Sequence, residues 1–300
     1  MHEALEKSNA ATSAFLDNGI VIMLEACFFF AVFDSLTKYL VDFFPSGQIV
    51  FVRFCFGAIV MLPSLFRQRI KIRKVDFFLL MLRGLSGAAT FYLTILAFQS
   101  GALSVTMVLF FTNPLWALFL GAFFLSERLT WERILCVITA IAGIAVLIHP
   151  WGEEISYGHI YGLAAGVLGG ANSVLTRHLR IRHSSLVIYA VHSIIGTLVS
   201  IPFVIGPVRM PCLMDGTILL IAAAFGLLGQ VAMSHGFRFI RAAEGSTLLM
   251  AEVILTTAAG IILFHEPFTL PFLVGAALIL GSGIYLGLRT GQDTIGVDHE

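Results

Sequence analysis

Long apolar stretches separated by short polar segments run along the whole chain. The stretches are continuously apolar, whereas the strands of a membrane barrel alternate apolar and polar residues, so the pattern favours helices. A helix needs roughly 20 residues to cross a bilayer. Ten segments fit this length and are predicted as spans: 18–40, 47–66, 76–98, 102–125, 132–148, 157–179, 185–206, 214–237, 243–264 and 269–288.

The second half of the chain repeats the first at an offset of 139 residues, without a gap. The run LTKYL at 36–40 returns as LTRHL at 175–179, and matched pairs of less common residues keep the register: Pro63/Pro202, Asp76/Asp215, Glu127/Glu266 and Thr130/Thr269. Each half contains five spans, and because five is odd the second copy is turned over in the membrane. We therefore predict an all-α membrane protein with ten transmembrane helices in a 5+5 inverted repeat.

The repeat also divides the chain into parts. Residues 1–17 are predicted to form a polar cytoplasmic tail, 18–148 the first five-helix repeat, 157–288 the second, inverted repeat, and 289–300 another cytoplasmic tail. Both tails are placed in the cytoplasm by the positive-inside rule, since the basic residues follow the even-numbered spans. The segments that carry them are 67–74, 128–133, 177–182, 238–241 and Arg289.

The composition agrees with a multi-pass membrane protein and limits its chemistry. Hydrophobic residues make up 58% of the chain and charged residues 12%, against about 25% charged in typical soluble domains. The short loops leave no room for a nucleotide-binding or catalytic domain, and no nucleic-acid partner is expected. The four cysteines lack the spacing of metal ligands, so we expect no metal and no cofactor.

One segment of the first repeat resembles a known family. It contains Asn113-Pro114-Leu115-Trp116, then Gly121, the run LSERLTW at 125–131 and the run AGIAVLI at 142–148. This pattern is similar to that of the EamA-type exporters of the drug/metabolite transporter superfamily, and the length and layout resemble YddG-like aromatic amino acid exporters. The resemblance implies a secondary transporter of the bacterial cytoplasmic (inner) membrane that exports small molecules such as amino acids, nucleotide sugars or drugs.

Polar residues near the middle of spans are candidates for a central substrate-binding site, because polar groups are costly inside the bilayer. Asn113 and Glu252 are equivalent in the two repeats, so a two-fold axis in the membrane plane places them at similar depth. Phe91 and Gln230 form another equivalent pair, Thr90 adjoins Phe91, and Asn172 lies in the small-residue run 169–173. The alternative is that these residues only form hydrogen bonds between helices.

Charged residues inside the spans are candidates for ion pairs or gates. Glu25 and Arg83 lie at similar predicted depth from the cytoplasmic ends of their spans and have opposite charge. Asp34 and Lys38 are four residues apart on one helix and can pair there, and Arg53 completes a similar group in the outer half. By residue count all three cations lie nearer the membrane faces than the centre, which disfavours phosphorylated substrates.

These residues predict a transporter of small amphipathic metabolites, with aromatic or other apolar amino acids as the favoured substrates. Lipophilic drugs are the alternative cargo within the same superfamily. A channel or an intramembrane enzyme is a more remote alternative: His265-Glu266 lacks the second histidine of HExxH, and Ser86 lacks the GxSxG frame. No ATP-binding run is present, so energy would come from the substrate gradient or from coupled ions. His192 and His235 make protons a candidate.

Overall fold

A computed structural model describes residues 2–67, 74–125, 131–148, 156–204, 212–240, 245 and 248–295. Within these ranges every regular element is a helix, as expected for apolar segments whose backbone groups must be paired within the segment. The helices are α1 His2–Leu40, α2 Ser46–Arg67, α3 Lys74–Ser100, α4 Leu103–Phe110, α5 Asn113–Leu125, α6 Trp131–Ile148, α7 Tyr157–Arg180, α8 Ser185–Val204, α9 Leu213–Gly236, α10 Ala251–Phe264 and α11 Leu270–Ile295.

Among the described residues, six segments are long and apolar enough to cross a membrane. They are Gly19–Leu40, Ser46–Pro63, Lys74–Ser100, Leu103–Leu120, Ser185–Val204 and Leu213–Gly236. The helices at both ends extend beyond the predicted spans, because α1 begins at His2 and α11 continues to Ile295. The basic segment 68–73, the signature residues 126–130 and the acidic pair Glu153 and Glu154 lie outside the described residues.

The predicted span 102–125 is broken into two helices. α4 ends at Phe110 and α5 begins at Asn113, with a turn at Phe111 and Thr112 between them. Pro114 explains the break, because it has no amide hydrogen to donate to the preceding turn. Thr112 N instead donates to Leu109 O at 3.2 Å, which closes α4 with a tighter turn.

The predicted span 243–264 is also discontinuous where it is described. Residues 248 and 249 are helical, Met250 forms a turn, and α10 begins only at Ala251. Met250 lies 139 residues after Phe111, so the helix is interrupted at matching positions in both halves. Asn113 and Glu252 therefore lie in the first turn of the helix that follows each break.

Helices of the first half pack mainly on helices of the second half. α1 packs along α9 and α3 along α7, while α2 packs on α8 and α6 on α11. The largest cluster of buried apolar side chains is built from α1, α2, α3, α4, α9 and α11, together with residues beside the two breaks. This arrangement brings both breaks to the centre of the bundle.

Small residues on α7 let the first break approach closely. Glycines recur every fourth residue at 158, 162, 166 and 170, which places them on one face of the helix. A Cβ at Gly166 would lie 2.7 Å from Thr112 Oγ1, and one at Gly170 would lie 2.7 Å from Asn113 O. Only glycine fits here, and the row holds the α4–α5 junction against α7.

Candidate functional site

A central cavity lies between the two halves at the level of the two breaks. It is bounded by residues of α1, α3, α4, α5, α7, α9 and α10, together with Phe111 and Leu249 beside the two breaks. Its wall includes all six residues predicted as substrate-binding: Thr90, Phe91, Asn113, Asn172, Gln230 and Glu252. Their role in binding remains a prediction, but they do lie around one cavity.

An acidic pair forms one part of the cavity wall. Asp34 on α1 and Glu252 on α10 are 5% and 3% exposed, and both line the cavity, where their side chains lie near each other. The two carboxyl groups give this part of the wall its acidic character. The sequence predicted neither this proximity nor the position of Asp34 in the wall.

The predicted pair between Asp34 and Lys38 is wrong. Lys38 Nζ donates instead to Phe98 O and to Gly101 O, both at 2.7 Å. The physical reason is that these carbonyls lie at the C-terminal end of α3, where the helix leaves acceptors unpaired and the helix dipole favours a cation. Asp34 lies instead beside Glu252 in the cavity wall.

Arg83 on α3 forms a basic part of the same wall. Its side chain is buried, with Nε donating to Thr176 Oγ1 at 2.7 Å and Nη2 donating to Gln230 Oε1 at 3.2 Å. The predicted pair with Glu25 is wrong, because Glu25 is exposed while the Arg83 guanidinium points inward. The sequence analysis placed all three cations away from the central site. For Arg83 this is wrong, because Arg83 lines the cavity.

Asn172 connects α7 to α3 while it lines the cavity. Ser86 Oγ donates to Asn172 Oδ1 at 2.8 Å, and Asn172 Nδ2 donates to Thr90 Oγ1 at 3.0 Å. Both ends of this amide are therefore used between helices, which is the alternative role considered for it. Asn113 differs, because its Oδ1 is buried without a hydrogen-bond partner. An unpaired buried carbonyl is costly, and a ligand donor in the cavity would satisfy it.

Arg53 on α2 lies directly behind the cavity wall, among three phenyl rings. Its Cζ lies 3.3 Å from the centroid of Phe91, 4.6 Å from that of Phe33 and 5.3 Å from that of Phe54. The side chain is 1% exposed, and none of its three guanidinium nitrogens has a hydrogen-bond partner. The predicted group of Asp34, Lys38 and Arg53 is therefore not joined by direct ion pairs.

The two histidines considered for proton coupling lie in different surroundings. His192 is buried, and its Nδ1 lies 3.4 Å from Arg83 Nη1. Since a guanidinium can only donate, Nδ1 is the acceptor and the imidazole is neutral in this arrangement. His235 lies near the end of α9 with its ring 5.3 Å from that of Phe239, away from the cavity wall. Proton coupling through either residue remains a prediction.

Part of the cavity wall could have been predicted from the spacing of residues along α3. Arg83, Gly87, Thr90 and Thr94 all line the cavity, and their spacing of four, three and four residues places them on one face of α3. Arg83 was instead assigned by its depth from the end of the span. The wall residues Met107 and Met233 carry no such signal, because single apolar residues do not stand out in an apolar helix.

The fold is that of a multi-pass helical membrane protein with a cavity between its two halves. The EamA-like transporter family matches the chain twice, over residues 17–149 and 156–288. The chain belongs to this family. A solved crystal structure shares the fold with a TM-score of 0.66 and 16% sequence identity, over 92% of this chain and 98% of that one.

Curated relatives are named as transporters. The chain is 24% identical over 256 residues to the S-adenosylmethionine uptake transporter of Rickettsia bellii, covering 84% of this chain and 87% of the relative. It is 25% identical to the pseudopaline exporter CntI of Pseudomonas aeruginosa, over 74% and 79% of the two chains. It is 24% identical to the riboflavin transporter of Brucella anthropi, over 81% and 88%. The names cover different cargoes and both directions of transport.

Proposed function

We propose that the chain is a secondary transporter of amino acids with aromatic or other apolar side chains, which it exports across the bacterial cytoplasmic membrane. The observation that carries the proposal is that buried groups of opposite charge meet at one cavity. The Asp34–Glu252 pair and Arg83 line it together, and Arg53 lies directly behind Phe91. A zwitterion presents both charges at once, so it compensates both parts of the wall.

The remaining wall suits the side chain of such a substrate. Phe30, Phe91, Phe110 and Phe111 line the cavity together with Met107 and Met233. Phenyl rings pack favourably edge to face against an aromatic ligand, and methionine adapts to ligands of different shape. Asn113 Oδ1, which has no partner in the protein, offers one further acceptor for the ammonium group. Hydrogen bonds would thus fix one end of the ligand and apolar contacts the other.

Alternating access between inverted repeats is the proposed mechanism. In the repeat, α1 is equivalent to α7 and α3 to α9, so the packing of α1 on α9 has its counterpart in the packing of α7 on α3. The pairs α2–α8 and α6–α11 each join two equivalent helices. This pattern supports a pseudo-two-fold axis through the bundle centre. In such carriers the halves rock around a central site. Export is proposed from the family resemblance, although the named relatives include both an exporter and an uptake transporter.

A counterflow assay tests this function. Purified protein is reconstituted into liposomes that are loaded with unlabelled phenylalanine, and uptake of a radiolabelled amino acid is measured. We expect phenylalanine, tryptophan and methionine to exchange and to compete with one another, while UDP-sugars are inert. Exchange of cationic drugs without amino acid flux would favour the drug-export alternative, and exchange of UDP-sugars alone would contradict the proposal. Inside-out and right-side-out vesicles would then determine the direction.

A further inference from the structure

Arg53 is a buried cation without a hydrogen-bond acceptor. All three of its guanidinium nitrogens are unpaired in the structure, and its side chain is 1% exposed. The rings of Phe33, Phe54 and Phe91 offer cation–π attraction, worth about 2 kcal/mol when desolvated. That attraction leaves the N–H donors themselves unsatisfied. A buried guanidinium in this state is suited to receive an anion in another step of the transport cycle.

The other buried arginine of the site is already engaged. Arg83 donates to Thr176 Oγ1 and to Gln230 Oε1, and its third nitrogen faces His192 Nδ1 at 3.4 Å. A carboxylate at Arg83 would have to displace these partners. A carboxylate at Arg53 would displace no hydrogen bond, and its two oxygens match the guanidinium fork. Of the two arginines, Arg53 is therefore the better receptor for an anionic group.

Phe91 separates Arg53 from the cavity. Its ring lies 3.3 Å from Arg53 Cζ and also forms part of the cavity wall, whereas Arg53 is not itself among the wall residues. The ring makes edge contacts to Phe33 and Phe54, with both pairs of centroids 6.0 Å apart, and a tilted contact to His192 at 6.2 Å. A change of the Phe91 rotamer toward the cavity would uncover the guanidinium without breaking a hydrogen bond.

We propose that Arg53 binds the carboxylate of the transported amino acid after the Phe91 ring moves aside, so that Phe91 covers this subsite in the state described here. The inference rests on the proposed function and assigns one group within that site. The ammonium group of the same substrate remains near Asp34 and Glu252. Asp34 lies within electrostatic range of Arg53, so the two ends of one ligand bind close to each other.

A comparison of two ligands that differ only in the carboxylate tests the assignment. Dissociation constants of phenylalanine and phenethylamine are measured by calorimetry on the purified full-length chain. We expect the wild type to bind phenylalanine at least about tenfold more tightly, as a charge-assisted hydrogen bond implies. In Arg53→Gln the ratio should fall to about one, because phenylalanine binding weakens while phenethylamine binding stays the same. Arg182→Gln is the control, because Arg182 is half-exposed, pairs with Asp76 and lies outside the cavity wall; it should keep the wild-type ratio.

Each other result has a defined meaning. If the wild type binds neither ligand and exchanges no amino acid, the proposed function fails. If it transports phenylalanine but Arg53→Gln keeps the ratio, or weakens both ligands equally, the carboxylate assignment is overturned and Arg53 is only structural. If Arg53→Gln does not fold, Arg53→Lys takes its place and should lower the ratio severalfold. Phe91→Ala should keep or raise the ratio, and a ratio of one in that variant would contradict Phe91 as a cover.

Discussion

Lys38 Nζ donates a hydrogen bond to Phe98 O at 2.7 Å, and the same contact recurs 139 residues later, where Arg177 Nη1 donates to Phe237 O at 2.7 Å. In both cases a cation near the end of one helix binds a carbonyl at the C-terminal end of a neighbouring helix, α3 or α9. The helix dipole and the unpaired carbonyls favour a cation there. In the predicted inverted repeat the two contacts would lie at opposite faces of the membrane, so each would be suited to hold one side of the carrier closed.

We predict that loss of the Lys38 contact and loss of the Arg177 contact shift the conformational equilibrium of the carrier in opposite directions. Lys38→Met should favour the outward-open state, and Arg177→Met the inward-open state. The reporter is a cysteine in place of Thr94, a buried cavity residue, in a background without native cysteines. Labelling by an impermeant maleimide in intact cells should increase severalfold with Lys38→Met and decrease with Arg177→Met. A change in the same direction for both variants would contradict the opposed roles.

The helical class and most helix positions could be predicted from the sequence, because continuous apolar stretches and backbone pairing leave few alternatives in a membrane. The break at Phe111 and Thr112 is different. Pro114 weakens the helix there, but whether the chain bends or stops depends on what packs against it. In the structure Gly166 and Gly170 on α7 supply that packing. In the second half Val253 replaces the proline, and the break at Met250 has no local sequence signal.

The positions of polar side chains were predictable only in part. Asn113 and Glu252 could be paired through the repeat because their depth follows from symmetry. Depth along a helix says nothing about which way a side chain points, so Arg83 and Asp34 were assigned to ion pairs instead of the cavity wall. Arg53 was harder still, because its neighbours Phe33, Phe54 and Phe91 come from three helices and are three of 27 phenylalanines.

Loss of the acidic pair should abolish transport while the protein still folds. Glu252→Gln and Asp34→Asn keep the shape of each side chain and the possibility of a hydrogen bond between them, but each removes one ionisable group. We expect counterflow of phenylalanine to fall at least about tenfold in either variant, since a charge-assisted contact to the ammonium group is lost. Asn113→Ala should reduce counterflow as well, through its unpaired Oδ1.

Folding of these variants is checked by size-exclusion chromatography and thermal unfolding in detergent. Glu25→Gln is the matched control, because Glu25 is an exposed acid on the same helix as Asp34. It should transport at the wild-type rate. Wild-type counterflow in both Glu252→Gln and Asn113→Ala would show that these two residues only pack the bundle.

The orientation can be tested at two positions of matched exposure. Tyr157 at the start of α7 and Ile181 just after its end are both 72% exposed. In the predicted topology Tyr157 faces outward and Ile181 faces the cytoplasm. In a background without native cysteines, Tyr157→Cys should react with an impermeant maleimide in intact cells, and Ile181→Cys should react only after permeabilisation. Reversed labelling would contradict the positive-inside assignment, and equal labelling would show that α7 does not cross the membrane.

Gly166 and Gly170 should be intolerant of even one added methyl group. In Gly166→Ala the new Cβ would lie 2.9 Å from both Leu109 O and Phe110 O, and in Gly170→Ala it would lie 2.8 Å from Ala117 N. Backbone atoms cannot yield as a flexible side chain does, so α7 must move away from the α4–α5 junction. We expect a loss of about 1–3 kcal/mol in the free energy of unfolding, together with reduced transport because Asn113 moves with the junction.

Gly281→Ala on α11 is the control, since nothing lies within 4 Å of the added Cβ. Its melting temperature should match or exceed that of the wild type, because alanine is the better helix former. Equal melting temperatures for all three variants, measured by thermal unfolding in detergent, would contradict the close packing of α7 on the break.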